Sequence, residues 1–211
     1  MNALSTTRNV PTKIELPHFS VDTAYGGSQD WCRSRWMKLG GCAAVTACDS
    51  AICFTLFKGR HGLYPYPTET ISRQEYVDFT DIMKPYLRPR LSGIDRLEIY
   101  LEGFGQFLAD RGESAIRMTP WPGERSVEET AATIKQQMKN GWLIPCLTLK
   151  HRHPAMEDYD WHWYLLNGCE EKDGKFFVKA VTFGAWRWLD LAVLWDTGYE
   201  RKGGLILYDL S

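Results

Sequence analysis

Residues 40–57 read GGCAAVTACDSAICFTLF, and Asp49 is the only charged residue among them. A helix that is apolar on nearly every side is buried on most of its sides. We therefore predict a central, buried helix from Cys42 to Phe57. The two glycines before Cys42 leave room for another backbone to approach the thiol.

Three further helices are predicted from capping boxes and apolar spacing. Residues 72–75, SRQE, and residues 126–129, SVEE, each place a serine three residues before a glutamate, which is typical of a helix start. Between Leu97 and Leu108 the apolar residues recur at intervals of three and four, the period of a helix.

The apolar pattern changes after Gly141 to short runs rich in strand-forming residues. We predict strands at 143–149, 162–167, 176–182 and 205–208, a turn at 172–174 and a short helix at 186–195. A further short strand is expected at 115–119. Helices followed by a mainly antiparallel sheet predict an α+β fold.

We expect one domain over residues 1–211, because the chain is of single-domain length and its composition is that of an ordinary globular protein. In this arrangement residues 1–30 form an irregular arm, residues 42–112 a helical half and residues 114–211 a sheet half.

The composition argues against several classes of partner. Lys and Arg total 25 against 26 Asp and Glu, without the basic excess expected of a nucleic-acid binder. No apolar run is long enough to serve as a signal peptide or a membrane span, so we expect no membrane partner and a cytoplasmic location. The six cysteines are expected to be reduced thiols. The oligomeric state is left open.

Cys42 and His162 are the candidate catalytic pair. Cys42 opens the buried helix, where unpaired N–H groups and the helix dipole favour a thiolate. His162 begins a predicted strand in the sheet half, and an imidazole that lies near a thiol can act as its base. Neither residue is informative alone, since a cysteine at a helix start is usually structural.

A zinc site is the competing use of these residue types. Cys146, His151, His153 and His162 include thiol and imidazole ligands that zinc accepts. Their spacing matches no common zinc module, and residues 150–154 resemble a solvated loop. We therefore expect no metal and no other cofactor.

The order of these segments resembles the papain-like cysteine peptidases, and among them the bacterial peptidases that process bacteriocin leaders. The resemblance rests on GCAAVTA at 41–47, IKQQMKNGWLIP at 134–145 and HWYLLNG at 162–168. It extends from about residue 25 to the C-terminus and implies a papain-like fold, with the buried nucleophile helix packed on the antiparallel sheet. It also implies Cys42 as nucleophile and His162 as general base.

Two family features are replaced in this chain. The family carries a glutamine a few residues before the nucleophile, whereas Trp36 stands six residues before Cys42; Gln29 is the nearest glutamine and would reach the oxyanion only across a loop. The family also orients its imidazole with Asn or Asp. Here the end of the predicted strand offers Thr182, and Asp190 is the next acid after it.

These residues predict a cysteine peptidase, or a related thiol acyl-transfer hydrolase acting on a peptide or small amide. The alternative is a catalytically degenerate protein that keeps the fold as a binding module.

Overall fold

A computed structural model describes residues 12–211 of the chain, so the first part of the predicted arm, residues 1–11, lies outside the described residues. The described elements, in chain order, are β1 (Thr12–Glu15), β2 (Ser20–Val21), β3 (Ala24–Tyr25), a 3₁₀ helix (Gln29–Trp31), α1 (Arg35–Gly40), α2 (Cys42–Phe57), α3 (Arg73–Met83), α4 (Leu97–Asp110), β4 (Ile116–Pro122), α5 (Val127–Lys139), β5 (Ile144–Thr148), a second 3₁₀ helix (Pro154–Tyr159), β6 (His162–Lys172), β7 (Lys175–Thr182), β8 (Ala185–Asp190), α6 (Leu191–Trp195) and β9 (Gly204–Leu210).

The fold is α+β, and its main sheet has the strand order β4-β9-β5-β6-β7-β8, with β1 paired to the far part of β6. Neighbouring strands in this sheet run antiparallel. Within residues 12–211, no helix combines the length and the apolar character that a bilayer span needs.

Helix α2 is the most buried helix of the fold, as its sequence predicts. Every residue from Cys42 to Thr55 is buried, and the helix packs against β6. Alternation along β6 divides its side chains between the two faces of the sheet. Trp163 and Leu165 belong to the apolar core that contains α2, whereas Tyr164 and Leu166 belong to the core that contains residues of α5 and α6.

The two capping boxes form as predicted. The hydroxyls of Ser72 and Ser126 accept from the backbone N–H groups of Glu75 and Glu129, whose carboxylates accept from the serine N–H groups in return. Helices α3 and α5 therefore begin where these local signals place them.

The prediction of a helix within 186–195 was wrong for its first half. Residues 185–190 form strand β8, and only Leu191–Trp195 is helical. Phe183 and Gly184, with φ of 53° and 70°, join β7 to β8 in a two-residue turn. Such primed turns match the twist of a hairpin, so the chain returns beside β7 as a strand.

Strand β4 is longer than predicted, because it continues through Pro120 to Pro122. It pairs only with β9 and lies at the end of the sheet. Proline is tolerated on an edge strand, where one side of the backbone has no partner for its missing N–H.

The junction between α1 and α2 provides a test with a matched control. A Cβ at Gly41 would lie 2.4 Å from the carbonyl oxygen of Met37, whereas a Cβ at Gly40 would meet Pro89 at an ordinary 3.5 Å. We expect Gly41→Ala to lower the free energy of unfolding by about 1–3 kcal/mol, because the helix start must shift. Gly40→Ala should change it by less than about 0.5 kcal/mol or raise it. Urea unfolding measures both variants, and equal stabilities would contradict this account of the junction.

Candidate functional site

Cys42 is the first residue of α2, and its side chain is 8% exposed. The backbone N–H groups of Trp163, Ala43 and Cys42 itself face the sulfur. Burial raises the pKa of the Cys42 thiol above its ordinary value, and these three N–H groups lower the pKa by less. The helix start was expected to favour a thiolate, but the loss of solvent outweighs that effect. Cys42 is therefore a protonated thiol at neutral pH.

His162 begins β6 and is 6% exposed. Its Nε2 lies 2.7 Å from Oγ1 of Thr182, which is the ring's only hydrogen-bond partner within residues 12–211. Removal from water lowers the pKa of His162 to about 4. The imidazole is therefore neutral at neutral pH, and such a ring can accept a proton.

The turn between β7 and β8 holds the imidazole from two directions. Thr182, the last residue of β7, supplies the hydrogen bond to Nε2. The ring of Phe183 is stacked on the imidazole with a centroid distance of 4.7 Å and an interplanar angle of 6°. Together these contacts fix the position and the plane of the ring.

Gln29 reaches the same region from the other side of the cleft. The 3₁₀ helix of residues 29–31 and helix α1 occupy the segment between Gln29 and Cys42. Nε2 of Gln29 donates to the carbonyl of Lys38 at 2.9 Å, and its Oε1 is buried without a partner among the described residues. An amide nitrogen carries two protons, so one N–H of Gln29 remains for another acceptor.

Gln29, Cys42 and His162 line one open cleft of about 770 Å³ at the end of the sheet. Five large apolar side chains that are 41% exposed or more also line it: Trp36, Leu39, Leu91, Trp161 and Phe183. Exposed apolar residues gathered in one place are typical of a binding surface.

Part of the cleft wall is a loop that contains residues 90–93. The indole N–H of Trp163 anchors the end of this loop, because it donates to the carbonyl of Ile94 at 2.6 Å. The Trp163 ring also stacks on Tyr100 of α4, with centroids 4.6 Å apart. The residue after His162 thus anchors the segment that follows this loop.

Asp190 does not belong to this site, and its inclusion among the candidates was wrong. It ends β8 opposite Phe177, at the end of the hairpin remote from the turn that holds His162. Its carboxylate accepts from the N–H of Ala192 at 3.0 Å and pairs with Lys175 at 2.9 Å. Asp190 is the N-cap of α6.

The alternative zinc site is not assembled. Within the described range no three side chains of His, Cys, Asp or Glu converge as metal ligands. His151 bonds to the carbonyl of Val193, and His153 accepts from the N–H of Ala155. All six cysteines are buried and unpaired, and all lie within residues 12–211.

Sequence reasoning missed Phe183 and Trp161. Phe183 carried a usable signal, because Phe-Gly between two segments of alternating pattern is consistent with a two-residue hairpin turn. Trp161 directly precedes His162. Its φ of 52° places it before the strand in a left-handed conformation that non-glycine residues rarely adopt.

Comparisons with protein-family models, with curated proteins and with solved structures find no match for this chain.

Proposed function

We propose that this protein is a thiol-dependent acyl-transfer hydrolase, most simply a cysteine peptidase with a papain-like arrangement. The observation that carries the proposal is that one cleft is lined by a thiol at a helix start, a buried neutral imidazole and a side-chain amide. Each of the three has a role in amide hydrolysis.

The first step is attack by the Cys42 sulfur on the carbonyl carbon of a peptide or small amide. His162 takes the thiol proton as the C–S bond forms. In the proposed tautomer Nε2–H donates to Thr182, so Nδ1 is the ring nitrogen that accepts this proton. General-base assistance of this kind is needed because burial keeps the resting thiol protonated.

The negative charge that develops on the carbonyl oxygen is stabilised at the start of α2. The N–H of Cys42 and the remaining N–H of Gln29 are the proposed donors. The imidazolium of His162 then gives its proton to the leaving nitrogen, the C–N bond breaks, and an acyl group remains on the sulfur. Water, deprotonated by His162, hydrolyses this thioester and restores the thiol.

The second candidate is a binding module that has lost catalysis. It is favoured by the residue that contacts the imidazole. Thr182 supplies a neutral hydroxyl there, in place of a carboxamide or a carboxylate. A neutral acceptor stabilises an imidazolium less than a charged one does. The aromatic rim of the cleft serves either function.

Competitive alkylation separates the two candidates. Wild-type protein is treated with limiting iodoacetamide at pH 7.5 and mapped by mass spectrometry. We expect Cys42 to be modified at least about tenfold faster than the other five thiols, since it lines the open cleft that also contains His162. The other five are each 3% exposed or less, and burial raises their pKa values. Equal modification of all six would favour the binding module.

A further inference from the structure

A second cavity of about 590 Å³ adjoins the cleft that contains Cys42. The two cavities share Trp161 and Arg201 in their walls. The cavities therefore adjoin, and Trp161, which is 45% exposed, lies at the boundary between them.

The backbone of Trp161 adopts a left-handed conformation, which is unfavourable for a non-glycine residue. A left-handed conformation in a non-glycine residue costs on the order of 1–3 kcal/mol and persists only where the surroundings impose it. Here the N–H of Trp161 donates to the carbonyl of Leu149 at 3.0 Å, which anchors the residue beside the second cavity. Strained residues of this kind concentrate at binding and catalytic sites.

The second cavity carries an excess of positive charge. Its charged lining residues are Lys150, Arg152, Arg201 and Glu200. Arg201 forms an ion pair with Asp95, whose carboxylate lies 2.6 Å away. Lys150 and Arg152 form no ion pair with any residue between 12 and 211. The charged lining residues that remain are therefore two cations, Lys150 and Arg152, and one acid, Glu200.

Arg152 is held in place by its surroundings. Its backbone N–H donates to the carbonyl of Thr197 at 3.0 Å, and its guanidinium lies 4.8 Å from the centroid of the Tyr199 ring. Gly198 lies against the side chain, so that a Cβ there would come within 2.6 Å of Cδ of Arg152. A guanidinium held in this way binds a carboxylate at less entropic cost than a mobile one.

The main cleft differs in charge from the second cavity. Asp158 and Asp160 line it, together with Arg90 and the paired Asp95 and Arg201. Asp158 lies 3.6 Å from Arg187 at the surface, and both side chains are exposed. Arg90 and Asp160 therefore balance each other in the main cleft, and the excess of positive charge that favours a carboxylate lies beyond Trp161.

We infer that the second cavity binds a carboxylate of the peptide substrate, while the apolar rim of the main cleft binds the residues next to the scissile bond. This inference rests on the proposed function, because it names the substrate class for the same site. The carboxylate belongs either to an Asp or Glu side chain or to the peptide C-terminus, and both would pair with Arg152 and Lys150.

The test uses the Cys42→Ala protein, which binds peptide without cleaving it. The probes are octapeptide amides of Phe, Leu and Ala that carry a neutral fluorophore and a single Glu, placed at each position in turn. Each has a partner with Gln at the same position, and one pair differs only in having a free or an amidated C-terminus. Fluorescence anisotropy gives the dissociation constants in Cys42→Ala and in versions that also carry Lys150→Ala, Arg152→Ala or Lys172→Ala.

We expect one position, or the C-terminus, at which the carboxylate strengthens binding about three- to tenfold over its amide. The advantage should fall to about twofold or less with Arg152→Ala and shrink with Lys150→Ala. It should persist with Lys172→Ala, which removes an exposed lysine at the far end of β6. The position that responds identifies the source of the carboxylate.

Several results would overturn the inference: no peptide binds, no carboxylate improves binding, or the full advantage survives in both Lys150→Ala and Arg152→Ala. The proposed function fails separately, through the alkylation of wild-type Cys42. An unreactive Cys42 together with a carboxylate preference would identify a peptide-binding module with the acidic specificity inferred here.

Discussion

Replacement of His162 by alanine is expected to slow the alkylation of Cys42 at pH 7.5 by about 100-fold. The reason lies in the two protonation states. Burial raises the pKa of the thiol and lowers that of the imidazole to about 4, so the cleft contains a neutral thiol and a neutral imidazole at rest. Without His162 the sulfur must lose its proton to water before it attacks.

The pH dependence of alkylation tests the same pair more stringently. In the wild type, the rate should vary little from pH 5 to pH 9, because the thiol stays protonated and the imidazole stays neutral over this range. The contribution of His162 should be lost as pH falls through about 4, where the ring becomes protonated. In His162→Ala the rate should instead rise across this range, because only the growing thiolate fraction reacts. His61→Ala is the matched control, because His61 is exposed in a turn. Identical profiles for wild type and His162→Ala from pH 5 to 9 would show that the two residues are not a pair.

Thr182→Val is expected to lower the alkylation rate of Cys42 about tenfold and the free energy of unfolding by about 1–3 kcal/mol. Valine keeps the shape of threonine but removes the oxygen that lies 2.7 Å from Nε2 of His162. The buried nitrogen then has no partner, and the tautomer of the ring is no longer fixed. Thr182→Ser retains the hydroxyl and should behave like the wild type.

The ¹⁵N chemical shifts of the His162 ring give a readout that loss of stability alone would not change. The wild type should show one tautomer, and Thr182→Val a mixture of two. In Thr182→Asn the carboxamide oxygen can accept from Nε2–H, and we expect turnover to rise above the wild-type value if the protein is a peptidase. A single, unchanged tautomer in Thr182→Val would mean that stacking on Phe183 is sufficient to orient the ring.

Cys42 and His162 could be selected from the sequence because each occupies a recognisable local position. The apolar run predicts α2, and the glycines before it place Cys42 at the helix start. The change of pattern after Gly141 places His162 at a strand start, and β6 begins there. These signals depend on residues a few positions apart.

The third position of the site was partly accessible to the same reasoning. Thr182 was found by counting to the end of a predicted strand, and the structure places its hydroxyl on the imidazole. Asp190 was proposed because it is the next acid along the chain. The tight turn at Phe183 and Gly184 reverses the chain, so Asp190 lies at the remote end of the hairpin.

The sequence alone was sufficient for the α+β class, the helix starts at Ser72 and Ser126, the course of α2 and the positions of Cys42 at a helix start and His162 at a strand start, because hydrogen-bonding caps and apolar periodicity are local. The tertiary structure decided that Gln29 enters the same cleft, that Phe183 covers the imidazole, and that Trp161 divides two cavities of different charge. It also decided the protonation states of Cys42 and His162. These properties depend on how much water distant segments exclude from each group, and that becomes defined only when the helices pack against the sheet.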